Sequence, residues 1–297
     1  MNITIAGGTG FLGRELEKHL SNKGHQITIL TRRPSDSNHI RWEGIISGTW
    51  PDQISQTDVL INLCGRSVDC RYTDLNKKEI IASRVEPTLA FHKAIQDEKI
   101  KPKIWLNASS ATIYTHAESL LMDEQNGVIG DDFSMIVCKE WERSFFTHFY
   151  SDTRQVALRT SIVLGSTGGA FSKLKPVTRL GLGGKQGHGN QMVSWIHIDD
   201  FCRSIDHIIQ DGHISGPINL TSPNPVDNDQ FMKAVRSTLK IPFGIPQPKW
   251  LLEFGAALIG TETELLLKSR NVFPRRLLES GFSFSYGTLK ECINGLR

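Results

Sequence analysis

A doubly wound α/β sheet of parallel strands is the fold class this sequence predicts, and three features predict it. An apolar run at residues 3–6 breaks on Gly7, Gly8 and Gly10, then passes into an amphipathic segment at Phe11. That segment ends at Gly24, and a second apolar run at 26–30 follows at the spacing of a strand–helix–strand unit. Later runs at 58–65, 103–114 and 154–164 read as further strands, with a long helical pattern over 77–96 between the first two.

The glycines of the first turn fall at Gly7, Gly10 and Gly13, and each missing side chain has a separate use. The first permits the turn, the second lets a pyrophosphate approach backbone N–H groups, and the third lets the helix pack close to the strand. The ligand expected there is a dinucleotide, held by Gly7, Gly10, Phe11, Leu12 and Gly13. The sheet is therefore of the Rossmann type, expected over residues 1–165, with a smaller α/β substrate or lid region over 166–297. Residues 191–221 of that region are expected to pack back on the first.

Composition bounds the partners. A chain of 297 residues with 22% charged and 39% hydrophobic residues can bury a substantial core, and its net charge of +3 is spread along the sequence. Neither a nucleic-acid nor a membrane footprint is present. Five cysteines, Cys64, Cys70, Cys138, Cys202 and Cys292, lack metal-binding spacing and read as reduced thiols. The first strand leaves no room for a signal peptide and no apolar run reaches spanning length, so a cytoplasmic location is expected.

The end of the second strand selects the cofactor. An acidic residue there would hold the adenosine ribose hydroxyls, whereas Thr31, Arg32 and Arg33 offer positive charge to a 2′-phosphate. NADP(H) is expected, against the alternative that two arginines decorate a loop. Ligands of such sheets lie across the carboxyl ends of the strands, so Leu63, Cys64 and Gly65 should border it. On the following helix, Glu79 and Arg84 are candidate cofactor contacts or parts of a solvated face, and Pro87 marks an irregularity.

The motif series GGTGFLG, NLCG and SSATIY (Ser109 to Tyr114) resembles the extended and atypical short-chain dehydrogenase/reductases. With Trp141-Glu142, LRTSIVLG (158–165), RLGLGG (179–184), SWIHIDD (194–200), GPINLTSPNPV (216–226) and VFP (272–274), the whole chain resembles their NADP-dependent epimerase branch, which includes nucleoside-diphosphate-sugar epimerases. In the wider family a serine, a tyrosine and a lysine four residues after it carry proton transfer. The resemblance assigns the serine to Ser110. Alignment on Glu142 puts Ser134 where the tyrosine belongs and Cys138 where the lysine belongs, so the usual tyrosine–lysine pair is missing. Tyr114, assisted by Ser110 or Lys139, is the substitute proton donor; its alternative role is to shape the pocket.

The second half is read more coarsely. The glycine-rich stretch 165–190, with Arg179, is a substrate cover, a solvated connector or an oligomer contact. His197 and Asp199 lack a third ligand at suitable spacing, so no metal is expected and the stretch is assigned a structural role. Residues 217–220 read as a strand, 228–239, 250–259 and 262–268 as helices, and Phe282, Phe284 and Tyr286 alternate as a strand would. In related epimerases paired arginines of this region reach a nucleotide diphosphate, which makes Arg275 and Arg276 substrate candidates. The resemblance implies an NADP(H)-dependent oxidoreductase or epimerase for a nucleotide sugar or another carbonyl or hydroxyl compound, with a homodimer as the candidate assembly. The alternative is an NADPH-binding regulator or sensor without turnover.

Overall fold

The computed structural model describes residues 1–253, 262 and 267–296. Strands β1 (Asn2–Ala6), β2 (Gln26–Thr31), β3 (His39–Arg41), β4 (Val59–Asn62), β5 (Ile104–Ser110), β6 (Arg154–Thr160) and β10 (Gly216–Leu220) form one sheet in the order β10-β6-β5-β4-β1-β2-β3. Every pairing is parallel. The order reverses direction between β1 and β4, and a crevice opens there at the carboxyl ends of the strands.

Helices cover both faces, so the central strands are buried along most of their length rather than alternately. On one face α1 (Phe11–Asn22) and α6 (Ile198–Gln210) bury Leu16, Leu20, Phe201 and Ile205 against Ile3, Ile5, Ile61 and Leu158. On the other, α3 (Asp74–Gln96) and α4 (Phe133–Phe145) contribute Ala90, Phe91 and Phe145 to a core with Trp42, Trp50 and Trp105; the short α2 (Trp50–Gln53) supplies Trp50. Helix α3 begins three residues earlier than the apolar pattern suggests, because the Thr73 side chain accepts a hydrogen bond from the Asn76 N–H and caps it. It runs unbroken through Pro87, whose ring is buried.

The strand expected over 154–164 divides in two. The Ser161 N–H donates to the Leu220 carbonyl at 3.0 Å, and β7 (Ile162–Leu164) then leaves the main sheet to pair with β9 (Trp195–His197). A separate core forms where α5 (Gly169–Val177), α7 (Asn228–Leu239) and α9 (Leu289–Gly295) bring together Phe171, Phe231, Met232, Val235, Cys292 and Ile293. Here β8 (Met192–Val193) pairs antiparallel with β11 (Val226–Asp227). Both β10 and α6, although late in the chain, belong to the main sheet and its covering layer.

Phe282, Phe284 and Tyr286 form no ladder strand. The Ser285 and Tyr286 N–H groups instead donate to the buried carboxylate of Asp200, each at 2.9 Å, and α6 thereby takes the bonds a neighbouring strand would have supplied. His197 is buried, accepts from the Asp199 N–H at 3.1 Å and stacks on Tyr286, with ring centroids 3.7 Å apart. The helix expected over 250–259 is helical at 250–253 and lies outside the described residues beyond them, as does most of the helix expected over 262–268. Among the described residues no helix is long and apolar enough to cross a membrane, and no group of three His, Cys, Asp or Glu is placed to hold a metal ion.

Candidate active site

The three glycines of the first turn meet different neighbours. Gly7 has φ +72°, and a Cβ there would lie 3.1 Å from the backbone of Leu63 and Cys64; a Cβ on Gly13 would run into the Gly8 backbone. Gly7 and Gly13 are therefore required by the fold itself. A Cβ on Gly10 would meet nothing nearer than the Gly7 carbonyl oxygen at 3.7 Å. Gly10 is the residue before α1, with extended backbone, so its bare surface leaves the helix N-terminus open to a ligand.

On the other side of the crevice, the Asn62 amide donates to Asn107 Oδ1 at 2.7 Å, and Asn62 Oδ1 accepts from the Cys64 N–H at 3.1 Å. This buried amide pair between β4 and β5 fixes the turn carrying Leu63, Cys64 and Gly65. Burial pushes the Cys64 thiol up to about 12, which leaves it unreactive at neutral pH. At the end of β2, Thr31 is buried and accepts from the Arg33 N–H at 3.3 Å, while Arg32 and Arg33 are exposed.

From the first turn a cleft of about 380 Å³ runs past Phe11, Leu12, Leu63, Gly65 and Arg84 to Ser109, Ser110, Thr160 and Ser161. A second cavity of about 140 Å³ is lined by Ser110, Thr112, Ser161, Ser194, Lys268 and Arg270. A third, of about 90 Å³, is lined by Tyr72, Arg84, Ser110, Ser134, Cys138 and Trp141. Ser110 borders all three. Its hydroxyl lies 3.0 Å from Thr112 Oγ1 and accepts from the Thr112 N–H at 3.2 Å, so the single turn Ala111–Ile113 after β5 holds it at their junction.

The other candidate catalytic residues are placed differently from the expectation. Tyr114 is 0% exposed and lines none of these cavities; its hydroxyl donates to Asn219 Oδ1 at 3.0 Å and accepts from Arg159 at 2.9 Å. Burial pushes the Tyr114 hydroxyl above its ordinary value, against the opposing pull of Arg159. The phenol so enclosed links Arg159 to Asn219. Lys139 also lines none of the three cavities and pairs with Asp131, because α4 turns Ser134 and Cys138 inward and a neighbouring position is rotated by about 100°. Burial, reinforced by Glu142, pushes the Cys138 thiol up to about 12.

Several expected ligand contacts are likewise occupied by the protein. Glu79 pairs with Arg66. Arg275 pairs with Asp123, Nη2 to Oδ2 at 2.7 Å, and Arg276 donates to the carbonyls of Ser215 and Pro217 at 2.6 and 2.5 Å. Arg276 thereby ties α8 (Arg275–Glu279) to β10 and its approach, Arg275 ties it to Asp123, and neither lines these cavities, nor does Arg179. Arg84 does line them. Among the lining residues not singled out as site candidates from the sequence are Thr160, Ser161, Ser194, Lys268 and Arg270. An arginine amid the apolar run around 156–164 was one available signal: Arg159 holds Glu142 at the back of the site.

The NAD dependent epimerase/dehydratase family matches residues 3–128, and a domain of unknown function (DUF1731) matches residues 247–296. Epimerase family protein YfhF of Bacillus subtilis is 32% identical over 302 residues, which cover 100% of this chain and 98% of that protein. The chain belongs to the epimerase family. Within this family, the human protein SDR39U1 is 32% identical over 302 residues, covering 99% of this chain and all of the human one. Its crystal structure with NADPH superposes with a TM-score of 0.89 at 29% identity, covering 100% of this chain and 99% of that one. The nucleoside-diphosphate sugar epimerase of Corynebacterium glutamicum gives a TM-score of 0.81 at 28% identity, over 100% of this chain and 58% of the other.

Proposed function

We propose that this protein is an NADP(H)-dependent oxidoreductase acting on a carbonyl or hydroxyl compound, with nucleotide sugars among the candidate substrates. The observation that carries this reading is Gly10: nothing in the protein's own packing calls for a glycine there, whereas a diphosphate approaching the α1 N-terminus does. The N–H groups of the first turn of α1 would face that diphosphate. Arg32 and Arg33, exposed beside Thr31, would meet the 2′-phosphate, and Leu63 and Gly65 would border the cofactor on the opposite wall.

The bound cofactor would supply or accept a hydride. Ser110, at the meeting point of the cleft and both side cavities, would hydrogen-bond the substrate oxygen and hold it for protonation. The relatives support the reading: human SDR39U1 was solved with NADPH.

Titration of the protein with NADPH and NADH, followed by nicotinamide fluorescence, tests the cofactor. NADPH should bind at least about tenfold more tightly, a difference of about 1.4 kcal/mol, and Arg32→Glu should erase that preference. Equal affinities in the wild type would remove the assignment of Arg32. With turnover established on a carbonyl substrate, Ser110→Ala should lower kcat by roughly 100-fold and leave NADPH affinity unchanged.

A second reading, an NADPH-binding protein without turnover, is favoured by the inward-facing Cys138 and outward-facing Lys139. It predicts tight NADPH binding with no cofactor oxidation by any carbonyl compound tested.

A further inference from the structure

Arg84 is only 9% exposed, yet it lines both the main cleft and the third cavity, and each of these is also lined by Ser110 and Trp141. Its position is fixed on several sides. One Nη donates to the Ile80 carbonyl at 2.8 Å and reaches Ser83 Oγ at 3.4 Å, the other donates to the Arg66 carbonyl at 3.0 Å, and the group lies over the Trp141 ring at 5.0 Å from its centroid. Gly65 makes room for it, since a Cβ there would come within 3.2 Å of the guanidinium carbon.

Every one of these partners is electrically neutral, and among the described residues Arg84 has no carboxylate partner. Buried cations are ordinarily matched by an anion, as Arg159 is by Glu142 in the same site. Burial lowers the Arg84 guanidinium from its ordinary value, with only Cys138 and Tyr72 acting to raise it. Lys268 and Arg270 also line the cavities that meet at Ser110, Lys268 pairing with Asp132, and among the described lining residues there is no Asp or Glu. The cofactor phosphates are assigned to Gly10 and Arg32, neither of which lines the third cavity, where Arg84 stands with Ser110.

We propose that the substrate is itself an anion, a carbonyl or hydroxyl compound bearing a carboxylate or a phosphate, and that Arg84 receives its negative charge beside Ser110. The proposal rests on the cofactor reading above and adds the substrate's charge to it. Arg84 discriminates because a neutral substrate would leave its charge buried and unmatched, whereas an anion completes the pair. The two remaining N–H groups of the guanidinium, from a total of five, suffice for a forked contact to a carboxylate or phosphate oxygen pair.

The test uses the full chain saturated with NADPH, whose bound fluorescence first reports whether the cofactor reading holds. Pyruvate and dihydroxyacetone phosphate are then titrated in parallel with their uncharged counterparts, acetone and dihydroxyacetone. At least one of the two anions should bind ten times or more tighter than its neutral counterpart. Arg84→Met should remove that advantage while the NADPH dissociation constant stays within about threefold, and Arg84→Lys should restore part of it. Anions binding no better than neutral compounds to the NADPH-loaded wild type would overturn the proposal and leave the cofactor reading standing. So would an Arg84→Met variant that weakens NADPH as much as the anions, since Arg84 would then serve the cofactor. Absence of any NADPH signal would overturn both.

Discussion

Arg159 holds Glu142 in a two-point ion pair, Nε to Oε1 at 2.8 Å and Nη2 to Oε2 at 2.7 Å, with both side chains almost wholly buried between β6 and α4. The remaining capacity of each is also used. Ser109 donates to Glu142 Oε1 at 2.7 Å, and Arg159 Nη1 donates to Tyr114, which passes the chain on to Asn219. Burial works against the charge on Arg159, but the Glu142 contact outweighs it and raises the guanidinium further. Replacing one partner leaves the other charged and unmatched, so Glu142→Ala or Arg159→Met should each cost about 3–5 kcal/mol in urea denaturation. A cost below 1 kcal/mol would mean that the pair is open to water.

Tyr114 separates a structural role from a catalytic one. Tyr114→Phe removes the hydroxyl between Arg159 and Asn219, leaving two buried polar groups short of a partner, and should lower stability by about 1–3 kcal/mol. NADPH affinity and any turnover should persist at temperatures where the variant is folded. Loss of turnover with unchanged stability would return Tyr114 to the role of proton donor that its motif suggests.

Gly10 and Gly13 should respond in opposite ways to the same methyl group. Gly13→Ala collides with the Gly8 backbone and should destabilise the protein, whereas Gly10→Ala finds open space. Only a few tenths of a kcal/mol to about 1 should be lost at Gly10, with the helix start still formed. NADPH affinity should nonetheless fall at least about tenfold in Gly10→Ala. A variant that binds NADPH like the wild type would show that no ligand approaches Gly10 closely.

His92 should make stability fall in mild acid. Its ring is buried between the Tyr150 hydroxyl at 2.8 Å and the Ser144 carbonyl at 2.9 Å, and burial lowers it from 6.5 to about 4. Between those values the unfolded chain binds a proton that the folded chain refuses. The stability present above pH 6.5 is therefore lost progressively as pH falls towards 4, by roughly 3 kcal/mol from this residue. His92→Gln should flatten the melting temperature across that window relative to wild type, even though it lowers the value at pH 7. An unchanged slope would assign the acid sensitivity elsewhere.

Local pattern was enough for the sheet and for the glycine turn that opens it. Glycine spacing, an apolar strand and a capped helix are short-range features, and Gly7, Gly10 and Gly13 stand close together in sequence and in space alike. The position of Ser110 at the end of β5 follows from the same logic, because strand ends line the crevice. Tyr114 shows where that logic stops. It lies four residues from Ser110, but its environment comes from Arg159 on β6 and Asn219 on β10, more than forty and one hundred residues away. Periodicity does not reveal which distant polar group a buried side chain will meet.

Sequence by itself thus determined the class of fold and the turn between β1 and α1, since both depend on backbone conformation over a few residues. The charge around Ser110 was decided only by tertiary structure. Arg84 on α3 is brought to Ser110 from a segment far from Lys268 and Arg270, while Arg275 and Arg276, equally basic in the sequence, are taken up by Asp123 and the carbonyls of Ser215 and Pro217. A cation's role depends on which anion or carbonyl lies within about 3 Å of it, and packing across the sheet sets those distances.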